Sequence, residues 1–170
     1  MPPVSKGAAA SDSDIFLHVQ TARAGKIKGE ATTQEHKNDI EVQAWNWGLA
    51  ASSAIGSGKA TGRRSYRNLV VTKGFDSAST ALLSALASND KVTEAVLAMR
   101  KAGGEALDYY RMTLNDARVV AVDVDVDVDG KPVERVSFSF QKIEIEYQPQ
   151  EHSGSGSGSC VFSDEWLTEA

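Results

Sequence analysis

Residues 119–147 read VVAVDVDVDVDGKPVERVSFSFQKIEIEY. Val122, Val124, Val126 and Val128 alternate with Asp123, Asp125, Asp127 and Asp129, a period of two that places valines on one face of a strand and aspartates on the other. The run ends in the turn pair Asp129-Gly130, so a β-hairpin is expected. Its return arm carries Val136, Phe138 and Phe140 on one face, then Ile143, Ile145 and Tyr147 with the parity changed across Gln141 and Lys142. A bulge at that polar pair would keep both sets facing the core. The chain is expected to be mainly β.

Outward from the hairpin, Tyr110, Met112 and Leu114 alternate with polar residues, behind a turn at Gly103 and Gly104. The segment 91–101 is ambiguous: Val92, Ala95, Val96 and Met99 suit a helix, while Ala95, Leu97 and Met99 suit a strand. One short helix is predicted, with Asp76 or Ser77 as N-cap and Ala78, Leu82, Leu83, Ala85 and Leu86 at helical spacing. Strands are predicted around Ile15, Leu17 and Val19, around Ile40 and Val42, and from Arg63 to Lys73, with a turn and short strand from Gly25 to Gly29. On a strand, Trp45 and Trp47 share a face, where core packing is favoured over a subunit contact.

Residues 48–62, GLAASSAIGSGKATG, lack periodicity and are expected to form a long loop that serves as an interaction element. Residues 1–13 read as a flexible tail, 14–150 as one domain, and 151–170 as a Gly/Ser linker followed by a terminal segment. In that segment Val161, Phe162, Trp166 and Leu167 could supply a last strand or a docking element, or stay mobile.

The chain has 170 residues, 41% of them apolar, enough for a single core. Its 18 Lys and Arg are scattered among 23 Asp and Glu, giving a net charge of −5, so neither a nucleic acid nor an anionic membrane is an expected partner. A lone cysteine, Cys160, excludes an intramolecular disulfide and paired-thiolate zinc sites. No apolar run of secretory or membrane-spanning length occurs, so export, if any, is expected without a cleaved signal.

Motifs of chemistry fail on inspection. DVDVDVDG resembles the start of an EF-hand loop, but counted from Asp125 the bidentate Glu is replaced by Val136, and a solvated strand face is expected instead. GSGKATG lacks the Ser or Thr that a phosphate-binding loop needs after its lysine and precedes a strand. The histidines, His18, His36 and His152, form no helical pair, and no nucleophile with a base accompanies the many serines. Ordinary strand or surface positions are expected for them. No cofactor, metal or catalytic residue is predicted.

Several segments together resemble the hemolysin-coregulated protein (Hcp) family of bacterial type VI secretion systems: IKGEAT at 27–32, HKNDIEV at 36–42, WNWG at 45–48, VTKGFDSAS at 71–79, MRKAGGE at 99–105 and ERVSFSFQKIEIEYQPQ at 134–150. The resemblance spans roughly residues 14–150. It implies an Hcp-like β-barrel of two sheets with one short α-helix alongside and a long extended loop. It also implies a structural tube subunit, not an enzyme. Homo-hexameric rings would stack into an inner tube, with sheath and spike proteins and small effectors as partners, assembled in the cytoplasm and then secreted without a signal peptide. The ending SGSGSGSCVFSDEWLTEA departs from the common family ending, and only Val161, Phe162 and Trp166 are similar to it.

Within that reading, subunit or ring contacts are expected at Gly56, Ser57 and Lys59 of the long loop, at the adjoining Arg63 and Arg64, and at Trp47. The competing readings are a monomeric β-barrel that binds a small molecule or cation through the aspartate strand, and a monomeric secreted effector. Oligomeric state separates them, because only the first requires closed cyclic symmetry.

Overall fold

The computed structural model describes residues 12–52, 63–104, 106–149 and 158–166. Among the described residues twelve strands run in the order β1 (Ser13–Thr21), β2 (Gly25–Ile27), β3 (Ile40–Val42), β4 (Ala44–Asn46), β5 (Leu49–Ser52), β6 (Arg63–Tyr66), β7 (Leu69–Lys73), β8 (Val92–Lys101), β9 (Asp108–Val126), β10 (Pro132–Ser139), β11 (Lys142–Tyr147) and β12 (Cys160–Glu165). One helix, α1 (Ala78–Ala87), interrupts them between β7 and β8.

At 19 residues β9 is several times the usual strand length, and it belongs to two sheets. Its first half pairs with β8 and β11, and its second half with β10. In the first sheet Ile40, Leu17, Leu97, Met112, Ile145 and Phe162 lie opposite one another in a single row across β3, β1, β8, β9, β11 and β12. The row passes from full burial to a Phe162 at the exposed edge. In the second sheet Trp45, Val71, Val136 and Val122 form the matching row across β4, β7, β10 and β9. The core lies between the rows, and each fully buried aliphatic side chain contributes about 1.5–3 kcal/mol. Among the described residues the strand pairing does not close into a hydrogen-bonded barrel.

The hairpin of β9 and β10 forms as expected, with two corrections. The bulge lies within β9: Phe138 pairs with Val119 and Ser137 with Ala121, leaving Val120 as the extra residue. At Gln141 the chain instead leaves the second sheet and enters the first, which is how Phe138 and Ile143 both reach the core. The second correction concerns the valines, which do not all face a core. Val124, Val126 and Val128 are 48%, 60% and 102% exposed, because the hairpin runs past the end of the packed sheets. Asp127 is a turn residue, its carboxylate accepting the amides of Asp129 and Lys131, while Gly130 takes a φ of +77° that suits glycine.

The ambiguous segment is a strand. Val92, Ala95, Leu97, Ala98 and Arg100 are buried because β8 is covered on both faces, and this breaks the simple alternation. Helix α1 buries Ala78, Leu82 and Ala85, one stripe, against the body. The N-cap position is Ser77, whose side chain makes no cap bond and donates instead to the Lys28 carbonyl, while Asp76 one residue earlier accepts the Ala78 amide at 3.0 Å. The expected strand over 39–47 is two strands: β3 joins the first sheet and β4 the second.

Two charged networks are buried where polarity alone predicted surface. Lys73, with 0% exposure, places Nζ 2.6 Å from Glu134 and 2.8 Å from Asp76, and donates to the Gly74 carbonyl and the Ser79 hydroxyl. The other centres on His36, expected to be an ordinary strand or surface residue. It is buried, stacked on Phe16 at 4.4 Å, with Nδ1 3.0 Å from Asp39 and Nε2 2.9 Å from Asp108. His18 and Lys26 also reach Asp39, and Arg100 and Arg111 reach Asp108. The loop between β2 and β3 is thereby pinned to β8 and β9.

Burial alone would raise the Asp108 carboxyl; hydrogen bonding and charge from His36, with hydrogen bonds from Arg111 and Arg100, outweigh it and hold it below its ordinary value of 3.8. A carboxylate lowered in this way contributes stability that is present above about pH 4 and is lost as pH falls through its folded value. Asp108→Asn is therefore expected to lower stability at neutral pH and to flatten the acid limb of the stability curve below about pH 5. Urea denaturation at a series of pH values measures this, and an unchanged acid limb would remove Asp108 from the network's energetics.

Candidate assembly surface

Arg63 and Arg64 line a hollow beside Tyr66, and Trp47 packs near the same Tyr66. Part of the expected long loop is ordered strand: Leu49–Ser52 pairs with Arg63–Tyr66 as a two-stranded ribbon separate from the main sheets. Gly56, Ser57 and Lys59, expected as contact residues, lie outside the described residues.

An aromatic cluster holds the base of the ribbon. Trp47 stacks near Tyr66 at 6.5 Å and near Phe140 at 6.5 Å, and Tyr66 meets Phe140 and Trp166 edge-on, each at 5.8 Å. Such edge and offset pairs contribute about 0.5–1.5 kcal/mol each beyond the area they bury. Trp45 does not join this cluster; it stacks on Tyr110 at 5.6 Å. Both tryptophans pack against the core, as the sequence favoured, but on different partners. The Trp47 indole N–H is buried without a hydrogen-bond partner among the described residues.

Arg64 ties the ribbon to the C-terminal segment. Its Nε lies 2.7 Å from Asp164, its Nη2 donates to the same carboxylate and to the Glu165 carbonyl, and its Nε faces the Tyr66 hydroxyl. The guanidinium is half exposed, which limits the pair to about 0.2–1 kcal/mol. Asp164 in turn sits on β12, which pairs along its whole length with β11 and so realises the last-strand option for this segment. Leu167 lies outside the described residues.

Arg63, Arg64 and Arg67 ring a hollow of about 340 Å³ whose other walls include Tyr66, Phe140 and Trp166. Of these residues sequence reasoning named Arg63 and Arg64 as contacts, Phe140 as core-facing and Trp166 as part of a last strand or docking element, and it did not single out Arg67. Asp164 stands a hundred residues from Arg64, and no spacing signals such a pair.

Among the described residues no group of three or more His, Cys, Asp or Glu is arranged to hold a metal ion. Arg135 meets Asp125 at 2.9 Å on the exposed hairpin, leaving the aspartate run as a solvated face. Cys160 is exposed.

Solved structures similar to this chain include Hcp proteins. Hcp1 of Salmonella typhimurium is 30% identical with a TM-score of 0.74, the match covering 92% of this chain and 96% of that one. Hcp1 of the E. coli EAEC 042 pathovar gives 25% identity and a TM-score of 0.75 over 91% and 99% of the two chains. Among curated relatives, the "Major exported protein" of Pseudomonas aeruginosa is 29% identical over 118 residues, 63% of this chain and 69% of that protein. "Protein hcp1" of the same organism is 31% identical over 112 residues, 64% and 66% of the two chains. Residues 16–147 match the family model described as "Type VI secretion system effector, Hcp". The chain belongs to this Hcp family of type VI secretion proteins.

Proposed function

We propose that the chain is the structural tube subunit of a type VI secretion system, forming hexameric rings that stack into the expelled inner tube and carry small effectors in the lumen. It works by assembly and not by catalysis. The observation that carries this reading is the apolar surface that a single copy leaves in water: Val124, Val126 and Val128 on the hairpin, Val161 and Phe162 on the edge strand β12, and Trp166 just past its end. Exposed strand edges and apolar stripes of this kind call for coverage by another chain. Arg63, Arg64 and Trp47, together with Gly56, Ser57 and Lys59 of the intervening loop, are assigned to contacts between subunits or rings. Sheath and spike proteins are the partners outside the ring, and the protein is assembled in the cytoplasm before it is secreted.

Native mass spectrometry of the purified chain is expected to give a dominant species of six times the chain mass, and negative-stain microscopy to show rings. A monomer at all micromolar concentrations would overturn the proposal in favour of a monomeric barrel.

A further inference from the structure

We infer that the valine- and aspartate-bearing tip of the β9–β10 hairpin of one copy docks in the arginine-ringed aromatic hollow at the base of the β5–β6 ribbon of the next. This rests on the self-assembly reading above and names the two surfaces that meet.

The tip is built for contact. Val124 and Val126 share a strand face and Val128 stands in the turn, all at least 48% exposed, with Asp123 and Asp129 exposed and carrying no ion-pair partner among the described residues. The hollow is its chemical complement. Tyr66, Phe140 and Trp166 supply apolar and aromatic wall, and Arg63, Arg64 and Arg67 supply positive charge. Arg64 is engaged by Asp164, but the Arg67 guanidinium has no carboxylate partner among the described residues. Apolar burial would hold such a contact, and opposite charges would set its register and speed the encounter.

Placement makes the contact intermolecular. The turn lies before Pro132, at the start of β10, and the hollow is lined by Ser139 and Phe140 at its end. At about 3.3 Å per residue the two surfaces stand on the order of 20 Å apart on a rigid ladder, so no copy can fill its own hollow. Each copy therefore offers a tip and accepts one. A heterologous contact of this kind closes into rings or grows into filaments, according to the rotation between copies.

The test uses the full chain and two variants, Arg63→Glu with Arg67→Glu in the hollow, and Asp123→Lys, Val126→Ser and Asp129→Lys in the tip. All five side chains are exposed, and circular dichroism checks that the fold is retained. Sedimentation is expected to show self-association weakened at least tenfold in each variant, and near-parental association for Arg63→Lys with Arg67→Lys. An equimolar mixture of the two weakened variants is expected to recover pairing, since the hollow variant still offers a parental tip and the tip variant a parental hollow. Parental association in either variant, or a mixture that does not pair, overturns the inference while leaving assembly itself intact. Loss in the hollow variant alone assigns the hollow to another occupant, such as the chain's own terminal residues, and also overturns it. A parent that never associates sinks both readings together.

Discussion

Glu134→Ala is expected to destabilise the fold by about 3–5 kcal/mol, the cost of leaving a buried charge without its main partner. Lys73 is a fully buried side chain, and Glu134 is its nearest carboxylate, itself 3% exposed. Alanine leaves the ammonium with Asp76, the Gly74 carbonyl and the Ser79 hydroxyl, and removes the group that joins β10 to β7 and to the start of α1. Lys73→Met together with Glu134→Leu is expected to recover most of the loss, because apolar groups of similar volume carry no desolvation penalty. Chemical denaturation of the single and double variants measures both. A single-variant loss below about 1 kcal/mol would show that the remaining partners satisfy Lys73 by themselves.

Phe138→Ala is expected to cost about 3–5 kcal/mol. The ring is fully buried, and its backbone is fixed on one side to Leu69 and on the other to Val119 beside the bulge, so the surrounding strands cannot collapse into the space it leaves. Phe140 provides the control. It is only partly buried among Trp47 and Tyr66, and its truncation is expected to cost about half as much, in proportion to the area it removes from water. A larger loss at Phe140 than at Phe138 would contradict the assignment of the core between the two sheets.

The predominance of strands, the hairpin and α1 were legible because each rests on a local period or cap: valines at every second residue, and Ala78, Leu82 and Ala85 behind Asp76. Periodicity states which side chains share a face; it does not state whether anything lies over that face. The hairpin valines illustrate the difference, since Val122 packs on the core while Val126, with the same parity, stands in water. The segment 92–101 stayed ambiguous for the opposite reason, as covering both faces of β8 erased the alternation. Buried Lys73 and His36 were illegible because their partners are distant in sequence, Glu134 in one case and Asp108 in the other. The resemblance segments nevertheless contain much of both networks: VTKGFDSAS and ERVSFSFQ meet at Lys73 and Glu134, and HKNDIEV and MRKAGGE meet around His36 and Arg100. Of the candidate assembly surface, Arg63 and Arg64 were visible beside the long loop, whereas the aromatic wall was assembled from three separate regions of the chain.

Because β9 supplies hydrogen bonds to β8 and β11 with its first half and to β10 with its second, neither sheet owns it. Opening either sheet at that strand strips partners from residues that the other sheet needs, so the two halves of the molecule rise and fall in stability together. Amide exchange from the buried positions Met112, Leu114 and Val119 is thus expected to proceed through one concerted event rather than through separate local openings.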